Sequence, residues 1–237
     1  MPSVRRTTAA CVATLPLAVV ITGCVSTEQI AARARLVSAR ELASQSTTQV
    51  GQTNPNVTVD RVALIHARSG TAVVVSLRNN TSTTLTDLPI SIAIRAGHRE
   101  LYLNRSANLD YFESHIAAIG PHAATDWAFT TDRRVAGGRA VATVGFPDLH
   151  PSLAGGLPRL EASPDGTARV TVSNHSTIPQ YDLQVYVIAM QAGRYVGAGS
   201  AEVPHLGTHA TTSVRVTFLG VARGATMKLI ALPTIFS

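Results

Sequence analysis

A stretch of this chain beginning near Gly70 occurs twice, and that duplication limits the fold more than any other feature. Gly70-Thr71-Ala72 returns as Gly166-Thr167-Ala168. Val75, Leu77, Asn79, Asp87, Leu88, Ile90 and Ile92 return as Val170, Val172, Asn174, Asp182, Leu183, Val185 and Val187 at a constant offset of 95 residues. Further on, Ile119-Gly120-Pro121-His122-Ala123 corresponds to Leu206-Gly207-Thr208-His209-Ala210, and Gly138 with Phe146-Pro147 to Gly224 with Leu232-Pro233. Three blocks in the same order imply two copies of one supersecondary unit.

Short β-branched runs between turn residues predict strands at Val57–Ile65, Ala72–Leu77, Leu88–Ile94, Trp127–Phe129 and Ala140–Phe146. The second copy offers Ala168–Val172, Leu183–Met190, Val214–Phe218 and Met227–Leu232. Alternating apolar residues on either side of an Asn-containing turn predict a hairpin-like pair with both inner faces in one core. The Ile/Leu-Gly-x-His-Ala block predicts a tight turn into a late strand, with Gly at a backbone angle other residues resist. From Val57 to the C-terminus this arrangement resembles bacterial immunoglobulin-like and fibronectin-type-III-like extracytoplasmic modules. The resemblance is one of pattern and carries over no functional residue. It implies an all-β fold of two tandem immunoglobulin-like β-sandwich domains, 57–147 and 159–237. The segment 148–158 joins them; its prolines and the Gly155-Gly156 pair predict a stiff linker with one hinge, and two rods so joined would form a spacer.

The N-terminus carries an address. Arg5 and Arg6 form a positive n-region, Ala9 to Ile21 an apolar h-region, and Thr22-Gly23 a small-residue site before Cys24. Ile21-Thr22-Gly23-Cys24 looks like a bacterial lipobox, which implies a signal peptide over 1–23, cleavage between Gly23 and Cys24, and a diacylglycerol and palmitate anchor on Cys24. The apolar run is too short to cross a bilayer as a helix, which needs about 20 residues. Two acyl chains hold a protein on a membrane where one is marginal. Residues 24–56 then form a tether. Ser26 to Ala43 has a thin apolar stripe and predicts a marginal helix behind a Ser26/Gln29 capping box. Ser44 to Asn56 is polar.

Cleavage would leave Cys24 as the single thiol, so no disulfide can form within the mature chain, and about 214 residues must be held by packed cores. The net charge is +6, falling to +4 without Arg5 and Arg6, and Lys228 is the only lysine. No basic run is longer than Arg133-Arg134, so nothing points to nucleic acid. The eight histidines are scattered, and His122 and His209 are equivalent in the two copies, which favours a turn-stabilising role over metal ligation. Asp87 and Asp182 read as equivalent turn acids, and Trp127 and Phe129 as core. There is no Gly-x-Ser-x-Gly elbow, no phosphate loop and no cysteine after residue 24.

The copies differ most between Gly97 and Ile119, where the first is nine residues longer than the second. This segment carries Tyr102, Arg105, Asp110, Tyr111, Phe112, Glu113 and His115. The plainer reading is an added edge strand or hairpin; if the chain has a binding loop, Tyr102, Arg105, Asp110, Tyr111 and Phe112 form it. The expectation is a non-enzymatic lipoprotein on the extracytoplasmic face of the cell membrane, held by lipid on Cys24, displaying its modules to a protein or cell-wall partner. No catalytic residue, cofactor, metal or nucleic acid is expected. The alternative is an accessory or scaffolding subunit of a membrane secretion or transport complex, joined through edge strands.

Overall fold

The computed structural model describes residues 50, 52–105, 114–147, 157–165 and 168–234. Gly23, Cys24, the predicted helix over Ser26–Ala43 and most of the linker lie outside them. The described residues contain strands and no helix, so the fold is all-β.

The first copy consists of β1 (Val57–Ala67), β2 (Gly70–Asn79), β3 (Leu85–Ala96), β4 (Arg99–Tyr102), β5 (His115–Ile119), β6 (Ala124–Thr131) and β7 (Arg139–Val144). The second consists of β8 (Leu160–Pro164), β9 (Arg169–Asn174), β10 (Gln180–Gln191), β11 (Arg194–Leu206), β12 (Thr211–Arg215), β13 (Thr217–Gly220) and β14 (Thr226–Ala231). Each copy has two antiparallel sheets. In the first, β1-β2-β6 form one sheet, while β3 carries β4 and β5 on one edge and β7 on the other. In the second, β8-β9-β12 form one sheet and β13-β11-β10-β14 the other. The repeated apolar residues fill the interiors: Val75, Leu77, Leu88, Ile90 and Ile92 in one core, and Val170, Val172, Leu183, Val185 and Val187 in the other.

The expected hairpin at the Asn-containing turn is corrected, because β2 and β3 lie in different sheets, as do β9 and β10. The chain instead arches between the layers, and the asparagine makes the arch. The Asn79 amide donates to the carbonyls of Thr83 at 2.7 Å, Gly120 at 2.9 Å and Ile119 at 3.2 Å, while its oxygen accepts from the Thr81 backbone and hydroxyl. Asn174 repeats this with Ile178, Gly207 and Ser176. His122 and His209, both at φ 51°, donate their backbone N–H groups to Thr81 and Ser176 of the same arches, so the left-handed angle expected at Gly120 and Gly207 falls on the histidines instead. The two repeated sequence blocks are thus the two sides of one lock. Asp87 and Asp182 are not in turns; they sit inside β3 and β10 with φ of 51° and 48°, where each ladder passes over them.

The longer segment of the first copy breaks a strand. β11 pairs with β10 from Gln180 to Gln191, but its counterpart is split, with β4 on Ala93–Ala96 and β5 on Leu85–Pro89 of β3. Asn104 fills the gap. Its Oδ1 accepts the Ile92 N–H at 2.8 Å and its Nδ2 donates to the Ile90 carbonyl at 2.7 Å, so a side-chain amide replaces the missing peptide unit.

The two copies do not stand apart as a spacer: the β1-β2-β6 sheet packs against β10, β11 and β13, and Lys228 of β14 reaches Asp126 of β6. β2 is apolar on both faces for this reason. Val73, Val75 and Leu77 share one face, while Ala72, Val74 and Ser76 face the second copy. Across from them Ile188, Ala198 and Leu219 are buried in the same continuous core as Ala72 and Val74. Residues at the end of the predicted tether also belong to the body. Val50 and Asn54 are buried, and the Asn54 backbone N–H and side-chain amide bond the Val144 and Gly145 carbonyls.

Candidate functional site

Of the predicted binding loop, Tyr102 and Arg105 are described, and Asp110, Tyr111 and Phe112 lie outside the described residues. Tyr102 closes β4, and its hydroxyl donates to Glu100 Oε2 at 3.1 Å. Glu100 also accepts Arg95 Nε at 2.7 Å, and that bond holds the exposed carboxyl below its ordinary range. Burial pushes the Tyr102 phenol up, and Arg105 is near enough for its charge to oppose the rise. Further along, His115 Nδ1 lies 3.0 Å from Asp87 Oδ1. These contacts tie β4 and β5 to β3.

A second constellation, missed in the sequence, lies where the copies meet. Asp126 on β6 is paired in register with Ser76 on β2, and both face β10 and β11 of the second copy. The carboxylate accepts the Ser76 hydroxyl, the Tyr195 hydroxyl at 2.9 Å and Lys228 Nζ at 2.8 Å. Ser76 and Tyr195 are also 2.7 Å apart. The Asp126 side chain is 7% exposed and that of Lys228 48%. The cation therefore reaches in from the rim to an acid at the floor. Burial alone would raise the Asp126 carboxyl, but the bonds from Lys228, Ser76 and Tyr195 and the Lys228 charge outweigh it and hold the group below its ordinary range. Burial raises the Tyr195 phenol. An acid so held is a weak base, and because its donors come from both copies the cluster ties one copy to the other.

Around this floor is a cavity of about 440 Å³, lined among others by Asp60, Arg61, Arg78, Tyr195 and Lys228. A second depression of about 310 Å³, lined by Arg61, Ala63, Gly193, Arg194 and Tyr195, adjoins it. Tyr195 lines both, and so does Arg61. Its Nη1 donates to the Gly193 carbonyl at 3.0 Å, and its guanidinium carbon is 5.5 Å from the centre of the Tyr195 ring. Among the described residues no three His, Cys, Asp or Glu side chains are grouped to hold a metal ion.

The sequence signal for this site was thin. Lys228 stood out only as the single lysine, and its partner Asp126 is 102 positions earlier in the other copy. No protein-family model matches the chain, and no curated protein is similar to it.

Proposed function

We propose that this chain is a membrane-anchored extracytoplasmic lipoprotein, cleaved between Gly23 and Cys24 and lipidated on Cys24. Its two immunoglobulin-like modules are presented to a protein or cell-wall partner, and it catalyses no reaction. The observation that carries the reading is the position of the cysteines. Both precede the described residues, and Cys24 stands where an apolar run and two small residues end. The body that would be displayed is built from two β-modules packed on one another, with Lys228 and Asp126 paired at their junction.

A second reading, as an accessory subunit of a larger membrane assembly, draws on β14. That strand ends its sheet, with β10 as its paired neighbour among the described residues, and such an edge can take a further strand. Cross-linking in intact cells followed by capture separates the two. One stoichiometric membrane complex favours the subunit, and diverse wall or surface components favour the displayed binder.

Lipidation is tested by expressing the precursor with a labelled fatty acid. The wild type should take up label and sediment with membranes, and Cys24→Ser should do neither. A soluble wild-type product that keeps its first 23 residues contradicts the proposal.

A further inference from the structure

The groove between the copies carries more positive charge than its acids neutralise. Four cations reach it: Arg61, Arg78, Arg194 and Lys228. Two acids answer them. Asp126 is taken by Lys228, Ser76 and Tyr195, and Asp60 by Arg78 at 3.1 Å. Arg61 and Arg194 are left without an acidic partner among the described residues. Arg61 is also fixed in place, braced on the Tyr195 ring and tied to Gly193, so one edge of its guanidinium is committed and the rest is turned to the groove. A cation ordered in advance loses less freedom on binding.

We infer that this groove binds an oxyanion carried on a hydroxylated chain, that is, an anionic glycan or polyol-phosphate polymer, with Arg61 and Arg194 as the residues that recognise the charge. The volume decides against a bare ion. The larger cavity falls in the range of about 300–1,000 Å³ typical of small-molecule sites. The two depressions share Arg61 and Tyr195, so a chain can run from one to the other past both arginines. The lining of the larger cavity supplies partners for hydroxyls, from Thr125, Ser76 and Asp60. The inference rests on the proposed role as an envelope binding protein and gives that role a site other than the Tyr102–Phe112 loop.

The test is titration calorimetry on the full chain purified in detergent. The probes are a synthetic glycerol-phosphate hexamer and a galacturonate hexamer, with maltohexaose as the neutral control. At least one anionic hexamer should bind and maltohexaose should not; the tighter of the two names phosphate or carboxylate as the anion. Arg61→Gln with Arg194→Gln should weaken binding at least tenfold, a loss of about 1.4 kcal/mol. Arg215→Gln, on the opposite sheet of the second copy, should leave it unchanged. Because Arg61 braces the junction, Arg194→Gln alone provides a variant whose exposed side chain makes no hydrogen bond within the described residues; it too should weaken binding. The inference is overturned if neither anionic hexamer binds, if maltohexaose binds equally, or if Arg215→Gln costs as much as the groove variants. It is also overturned if only phosphatidylglycerol vesicles are bound. Failure of the groove would leave fatty-acid labelling of Cys24 intact, and failure of labelling would leave groove binding intact.

Discussion

Asp126 occupies a position where a carboxylate is costly unless it is answered, and three donors answer it. Removing it strips Lys228, Ser76 and Tyr195 of their common acceptor. Asp126→Ala should therefore lower stability by about 2–3 kcal/mol at neutral pH, measured by urea unfolding. The pH dependence has a definite sign. The folded carboxyl lies below its ordinary value of 3.8, so its contribution is fully present above that value and is lost as pH falls through the folded one. The gap between wild type and Asp126→Ala should close below about pH 4. Little of this was legible beforehand. Asn79 and Asn174 declared themselves by recurring, because each acts within its own copy. Asp126 and Lys228 do not recur as a pair, because the junction between the copies occurs once.

At the scale of elements, the strands rich in Val and Ile were readable and β11 was not. Its sequence contains Gly197, Ala198, Gly199 and Ala201, residues with weak strand preference. Packing explains them, since a Cβ on Gly199 would lie 2.6 Å from the Thr217 carbonyl and one on Gly220 would lie 2.4 Å from the Val196 carbonyl. The small residues let β13 cross onto β11, a contact between elements that no local pattern announces. Gly199→Ala should accordingly cost about 1–3 kcal/mol by overpacking, read from the urea midpoint. The split in the equivalent strand of the first copy was legible only as extra length. Its repair by Asn104 was not, since Asn before a long segment ordinarily signals a turn. Asn104→Ala should cost about 1–3 kcal/mol. It should also accelerate hydrogen exchange at the Ile92 amide, which loses its acceptor, while the matched Val187 amide of the second copy stays protected.

Over the whole molecule, duplication and the all-β fold followed from the sequence, whereas the way the copies meet did not. Alternation identifies one buried face per strand; burying the second face of β2 requires a neighbour that only the assembled chain provides. The linker's prolines and glycines suggested two separated rods, yet Val74, Ile188, Ala198 and Leu219 form a core continuous from one copy to the other. Ile188 is fully buried there, and Ile188→Ala should cost about 2–5 kcal/mol. Because the loss falls on a shared core, it should lower the unfolding temperature of both copies together. Scanning calorimetry of the chain from Val25 onward, with and without Ile188→Ala, measures this directly. One transition is expected, with calorimetric and van't Hoff enthalpies equal and the whole peak displaced downward in the variant. Two separable transitions, of which only the one belonging to the second copy moves, would mean that the copies fold independently and that their common face does not form.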